Sequence, residues 1–186
     1  MADALILPPA RPRLSASAIR SLLDNHGVTD AVALLGVRGY YRDTMGQPGE
    51  NDRGIYDDAI FLQAPAATLS FNANTDPSRA RTGIASLRCG TWRYRIGIHG
   101  LSKPRKEQYV ALVQAGPVTV DRDNAASETG WFGINIHRGG FSGTSSLGCQ
   151  TVYPDQWKSF IATVQDQLAR NNQTTLPYVL IEGPIV

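Results

Sequence analysis

Two residues set the chemical question. Cys149 lies in "GFSGTSSLGCQTVY" (Gly140 to Tyr153), and His137 lies twelve positions earlier in "GINIHRGG". A thiol attacks as its thiolate, so a nucleophilic cysteine needs a base or a positive environment. It also needs exposure and donors for the oxyanion that forms on the attacked carbonyl. His137 ends a β-rich run, which puts its imidazole at a strand tip. A twelve-residue loop is long enough to bring Cys149 back to it. Gly148 allows backbone conformations closed to other residues, so the Gly148 and Cys149 N–H groups are candidate oxyanion donors. A catalytic thiolate is expected to react with iodoacetamide below the ordinary thiol pKa. The plainer alternative is a buried, inert thiol beside a histidine in a loop mouth, since free cysteine is commonly buried.

His99, in "IGIHGLSKP", is a second candidate base or a pocket-wall residue. His26 follows a short helix, where a cation suits the C-terminus, and reads as structural. Asp57 and Asp58 are adjacent in "IYDDAIF"; on a strand they face opposite sides, so they are not a paired-carboxylate site. Cys89 reads as a small buried hydrophobe. Two cysteines make no disulfide framework, and without a C-x-x-C or H-E-x-x-H spacing no metal or other cofactor is expected.

These residues need a scaffold. "SASAIRSLLDN" (15–25) has serines to cap a helix, an apolar face at Ile19, Leu22 and Leu23, and Gly27 to stop it. Short Val/Ile/Tyr/Phe/Trp-rich runs at 31–41, 59–64, 67–73, 91–99, 109–116, 117–123, 130–137 and 178–183 read as strands. "YPDQWKSFIATVQDQLAR" places Trp157, Phe160, Ile161, Val164 and Leu168 on one helical face. The polar, Gly-rich stretch 42–58 is a long connection, functional or merely solvated. The expectation is a mostly β (α+β) domain, a sheet or barrel with one or two peripheral helices, spanning 15–186 behind a Pro/Arg-rich arm at 1–14.

The chain has 186 residues, 42% hydrophobic and 18% charged, with a formal charge of +2. That fits one domain with a real core. No basic stripe with interleaved aromatics argues for nucleic acid. No run is long enough to span a membrane. "MADALILPPARPRL" lacks a basic n-region and is broken by Pro8 and Pro9, so no secretory signal is expected there.

The site residues resemble those of the L,D-transpeptidase catalytic domain, a bacterial cell-wall family. Its signature is an Ile-His-Gly-like strand end, a Gly-rich loop and a Ser/Thr-His-Gly-Cys stretch followed by a hydrophobic residue and arginine. Here the counterparts are "FGINIHRGG" and "SLGC". The resemblance implies a β-sandwich or barrel of that type, with Cys149 as nucleophile, His137 as base, Ser146 as an orienting hydroxyl and Gly148 beside the oxyanion. Leu147 stands where the family has histidine, and Gln150 and Thr151 where it has the hydrophobic residue and arginine. Arg138 is a substitute for that arginine in holding a substrate carboxylate, with His99, Gly139 and Gly140 as further substrate-binding candidates. "RGYYRDTMG", "NDRGIYDDAIF" and "FNANTDPS" give the chain the look of a phage or prophage version. The implied activity is hydrolysis or transpeptidation at an L,D peptide bond of peptidoglycan stem peptides through a Cys thioester, by a monomer. Its alternative is an inactive cell-wall-binding or phage structural protein of the same fold. Synthesis in the cytosol followed by release or injection towards the wall is the expected route.

Overall fold

The computed structural model describes residues 5–185. The chain begins with α1 (Ala16–Asn25) and then β1 (Ala33–Arg38), β2 (Asp58–Ala64), β3 (Ala67–Asn74), β4 (Ala85–Leu87), β5 (Gly90–His99), β6 (Tyr109–Gln114), β7 (Val118–Arg122), β8 (Ala125–Gly130), β9 (Ile136–Arg138) and β10 (Gln150–Val152). It ends with α2 (Pro154–Arg170) and β11 (Leu176–Glu182). The architecture is mostly β, as the sequence patterning implies. Eight strands close a barrel in the order β1-β11-β5-β6-β9-β10-β3-β2, and β4-β7-β8 form a separate small sheet. Closure leaves the barrel no free edge. Among the described residues no helix is long and apolar enough to cross a membrane.

Strand alternation feeds two cores. Leu34, Ile60, Leu62, Phe71, Tyr94, Leu112, Ile136, Val152 and Tyr178 join the larger one, and Trp157, Phe160, Val164 and Leu168 of α2 pack into it. Alternate residues of β1 and β2, among them Leu35, Val37 and Phe61, meet Ile19 and Leu23 of α1 in the second. Ser15 caps α1 by accepting the Ala18 N–H at 3.1 Å, and His26 Nδ1 bonds the Leu22 carbonyl at 2.8 Å, a capping role.

The stretch 130–137 is not one strand. Gly130 ends β8 and β9 begins only at Ile136; between them Phe132 and Ile134 donate their N–H groups to Oε1 of the buried Gln114, at 3.1 and 2.8 Å. A side chain from β6 supplies the partner a ladder would have given. Residues 5–14 lie along the barrel: Tyr56 N–H donates to Ile6 O, Tyr41 to Ala10 O and Tyr40 to Arg13 O. The connection 39–57 is equally tied. The buried Asp58 carboxylate accepts the Gly39 and Thr75 N–H groups, and Asp57 accepts that of Asp52 at 2.8 Å. These aspartates fix turns and touch neither candidate histidine. The connection delivers buried Tyr56 beneath the loop that carries Cys149.

Candidate active site

β9 and β10 run parallel, with Gln150 opposite Ile136 and Thr151 opposite His137. The connection between them is the Gly-rich loop. One step before that register Cys149 lies opposite Asn135, whose N–H points at Cys149 Sγ at 3.4 Å. Strand alternation puts Asn135, His137, Cys149 and Thr151 on one face. Cys149, just before β10, and His137 are therefore diagonal neighbours on one face.

His137 is buried, and its Nδ1 donates to the Arg138 carbonyl at 2.8 Å, with Tyr109 Oη 3.2 Å from the same nitrogen. That bond fixes the tautomer and leaves Nε2 as an acceptor. Burial, then the charge of His99, lowers the His137 pKa to about 4. His99 stacks on His137, and its Nδ1 sits 3.1 Å from Asn135 Nδ2. Burial, then Lys103, lowers the His99 pKa as well. Both imidazoles are neutral at pH 7.

Cys149 is partly buried and its thiol donates to Gly133 O at 3.4 Å rather than to His137. Burial raises its pKa, with the Asn135 N–H a smaller opposing influence. The resting pair is thus a thiol and a neutral imidazole.

Ser146 is buried at the hub of the loop. Its Oγ donates to Cys149 O at 2.7 Å and accepts the Gly148 N–H at 3.0 Å. Its backbone is bonded in both directions to Ser78, N–H to Oγ at 2.8 Å and O from the Ser78 N–H at 2.9 Å. It positions the nucleophile's backbone. The Gly148 N–H is consequently occupied and is no oxyanion donor. Gly148 serves by shape: its φ is +128°, and a Cβ would collide with Ala85 O.

Gly139 and Gly140 pack against Tyr56. A Cβ on Gly139 would overlap Tyr56 Oη, and Tyr56 Oη donates to Gly140 O at 2.7 Å. Their smallness lets the loop settle on Tyr56. Arg138 is exposed, its guanidinium 5.4 Å from the Tyr109 ring centroid, close to the site. Leu147, in place of a histidine, is 75% exposed. Gln150 turns inward, donating to Thr75 O and accepting from Tyr178 Oη. The other thiol, Cys89, donates to Glu182 Oε1 at 3.2 Å, and burial pushes its pKa up to about 12.

A cleft of about 790 Å³ has His99, Gly133 and Asn135 in its wall; Cys149 meets it through its bonds to Gly133 and Asn135 and is not itself a wall residue. Among the described residues no group of three or more His, Cys, Asp or Glu side chains is placed to hold a metal ion. Asn135 and Tyr109 escape the motif reading, although the alternation in "NIH" already puts Asn135 on the face of His137. No family model, curated protein or solved structure matches this chain.

Proposed function

We propose that this chain is an L,D-transpeptidase-like cysteine acyl-transfer enzyme acting on peptidoglycan stem peptides. The observation that carries the reading is the pairing of β9 with β10. It puts Cys149 and a tautomer-fixed, neutral His137 on one face, with Gly133 and Asn135, which bond Cys149 Sγ, in the wall of an open cleft. His137 Nε2 takes the thiol proton as Sγ attacks the carbonyl joining a diamino acid to a terminal D-Ala. The Cys149 N–H, beside the forming bond, holds the oxyanion. The C–N bond breaks, the amine leaves with the proton returned by His137, and a thioester remains. Water then gives a carboxypeptidase or hydrolase, and an amine acceptor gives transpeptidation. The cell wall as site of action and a phage or prophage origin follow from the resemblance of "GINIHRGG" and "SLGC" alone.

A second reading, a wall-binding or phage structural protein without turnover, draws on the thiol's bond to Gly133 O and on Leu147. Turnover of purified tetrapeptide muropeptides separates the two. Cys149→Ala is expected to abolish it, His137→Ala to lower it about 10²–10⁴-fold, and Cys89→Ala to leave it intact. Intact-mass analysis with a carbapenem should show one adduct, absent in Cys149→Ala. Turnover or adduct surviving in Cys149→Ala places the chemistry elsewhere. Retained activity in His137→Ala with loss in His99→Ala makes His99 the base.

A further inference from the structure

The cleft beside Cys149 carries two cations and no carboxylate. Arg95 and Lys103 both line it, and both are exposed. Among the described residues neither lies in an ion pair, whereas Arg20, Arg38, Arg53, Arg88, Arg93, Arg122 and Arg170 all do. Arg95 makes only a 3.3 Å bond to the neighbouring Ile96 carbonyl. Lys103 is near enough for its charge to depress both stacked imidazoles. The same cleft exposes apolar surface: Trp131 is 66% exposed, Leu101 74% and Ile98 40%. Unpaired cations beside exposed apolar side chains suit a ligand that is itself both apolar and anionic.

The barrel register gives the spacing. Arg95 pairs with Val113, its neighbour Leu112 pairs with Ile136, and Ile136 pairs with Gln150 next to Cys149. Arg95 is thus three strand spacings from the nucleophile, about 14 Å at ~4.8 Å each. Lys103 follows His99 in the turn where its N–H donates to Gly100 O, at the other end of the cleft. Four residues of strand separate Arg95 from His99, about 13 Å.

We infer that Arg95 and Lys103 are specificity residues that make this cleft select peptides bearing free carboxylates against the same peptides with those carboxylates amidated. The inference rests on the stem-peptide reading above and names what the site discriminates. A guanidinium and an ammonium gain charge-assisted hydrogen bonds from a carboxylate and none of comparable strength from an amide.

Binding to the full-length Cys149→Ala chain tests this without turnover. Calorimetry would compare two synthetic tetrapeptide stems, identical except that the free carboxylates of one are carboxamides in the other, in 20 mM and 500 mM salt. The carboxylate peptide is expected to bind at least about tenfold tighter at low salt, with the gap narrowing at high salt as screening grows. Arg95→Gln and Lys103→Gln each shrink the gap, and the double variant closes it. These side chains are exposed, so folding should be unaffected. Equal affinities, or a gap that survives the double variant, overturn the inference. If wild type also turns both peptides over equally through Cys149, the catalytic reading stands and only the selectivity falls. Carboxylate-selective binding without turnover keeps the selectivity and removes the catalytic reading. Neither binding nor turnover removes both.

Discussion

The His99 ring stacks on the His137 ring, with centroids 4.0 Å apart and planes 21° from parallel. Two imidazolium ions cannot share that contact cheaply, so each ring resists protonation while the other is charged. Burial adds to the resistance at His137, whose pKa falls to about 4. The base needed for thiol attack therefore stays available well below pH 6.5. The acidic limb of kcat/KM for stem-peptide turnover is expected near pH 4. Removing His99 lifts a depressing charge and admits water, so His99→Ala should move the limb upward towards 6.5. Proton NMR titration of His137 follows the same shift without turnover. A wild-type limb near 6.5, or a limb lowered by His99→Ala, contradicts this account.

Alkylation of the resting enzyme should be slow. The Cys149 thiol is raised by burial and engaged with Gly133 O. In a Cys89→Ala background, iodoacetamide at pH 7 is expected to modify Cys149 more slowly than free cysteine, and barely at pH 6. Acylation by a substrate-like carbapenem should still proceed, because the base acts within the attack. Rapid labelling at pH 6 would mean a preformed thiolate.

The sequence pattern exposes most of the barrel and the two helices because their elements are long enough to repeat. Ten residues of β5 or seventeen of α2 show a period plainly. β4, β9 and β10 have three residues each, too few for alternation to register. Cys149 and His137, the proposed nucleophile and base, are legible because "SLGC" and "NIHRGG" are local. The parts supplied across strands are not. Gln114 holding 132–134, Tyr109 at His137 Nδ1 and the Asn135 N–H at the thiol arise from register, which no single segment encodes. The same holds for the lost Gly148 donor, which depends on where Ser146 Oγ turns.

Ser146 offers a test of loop positioning apart from proton transfer. Ser146→Ala removes the partner of the Gly148 N–H and of the Cys149 carbonyl, both inside the loop. Leaving such groups unpaired costs about 1–3 kcal/mol. The variant is expected to lower Tm by several degrees and reduce kcat about 10-fold to 10²-fold, while the acidic limb stays near pH 4. A moved limb with unchanged Tm would instead make Ser146 part of the proton path.

Gly148→Ala should be harsher on the site than on the fold. Its φ of +128° is strained for any L side chain, and the new methyl meets Ala85 O. A loss of about 2–4 kcal/mol is expected from strain and overlap together. The barrel should persist by circular dichroism while Cys149 acylation by carbapenem disappears. Acylation at wild-type rate would show that the loop tolerates another conformation there.

The buried acids give stability an unusual pH profile. Burial, then neighbouring Asp76 and Asp52, pushes Asp57 up to about 7, against an ordinary value of 3.8. Between those values the folded chain holds a proton that the unfolded chain has lost, so stability falls as pH rises. His137 acts in the opposite sense: between about 4 and 6.5 the unfolded chain holds the extra proton, and stability rises with pH. The two oppose each other up to 6.5, and beyond it only the acids act, with Asp58 raised as well. Tm is therefore expected to peak at mildly acidic pH and decline from 6.5 to 8. Asp57→Asn keeps an oxygen for the Asp52 N–H and removes one titration. It should flatten the fall of Tm between about pH 4 and 7 and leave the decline above 7 that Asp58 carries. Differential scanning calorimetry across pH 4–8 decides it: a wild-type Tm that climbs from 6.5 to 8, or an unchanged profile in Asp57→Asn, shows that Asp57 is ionised throughout.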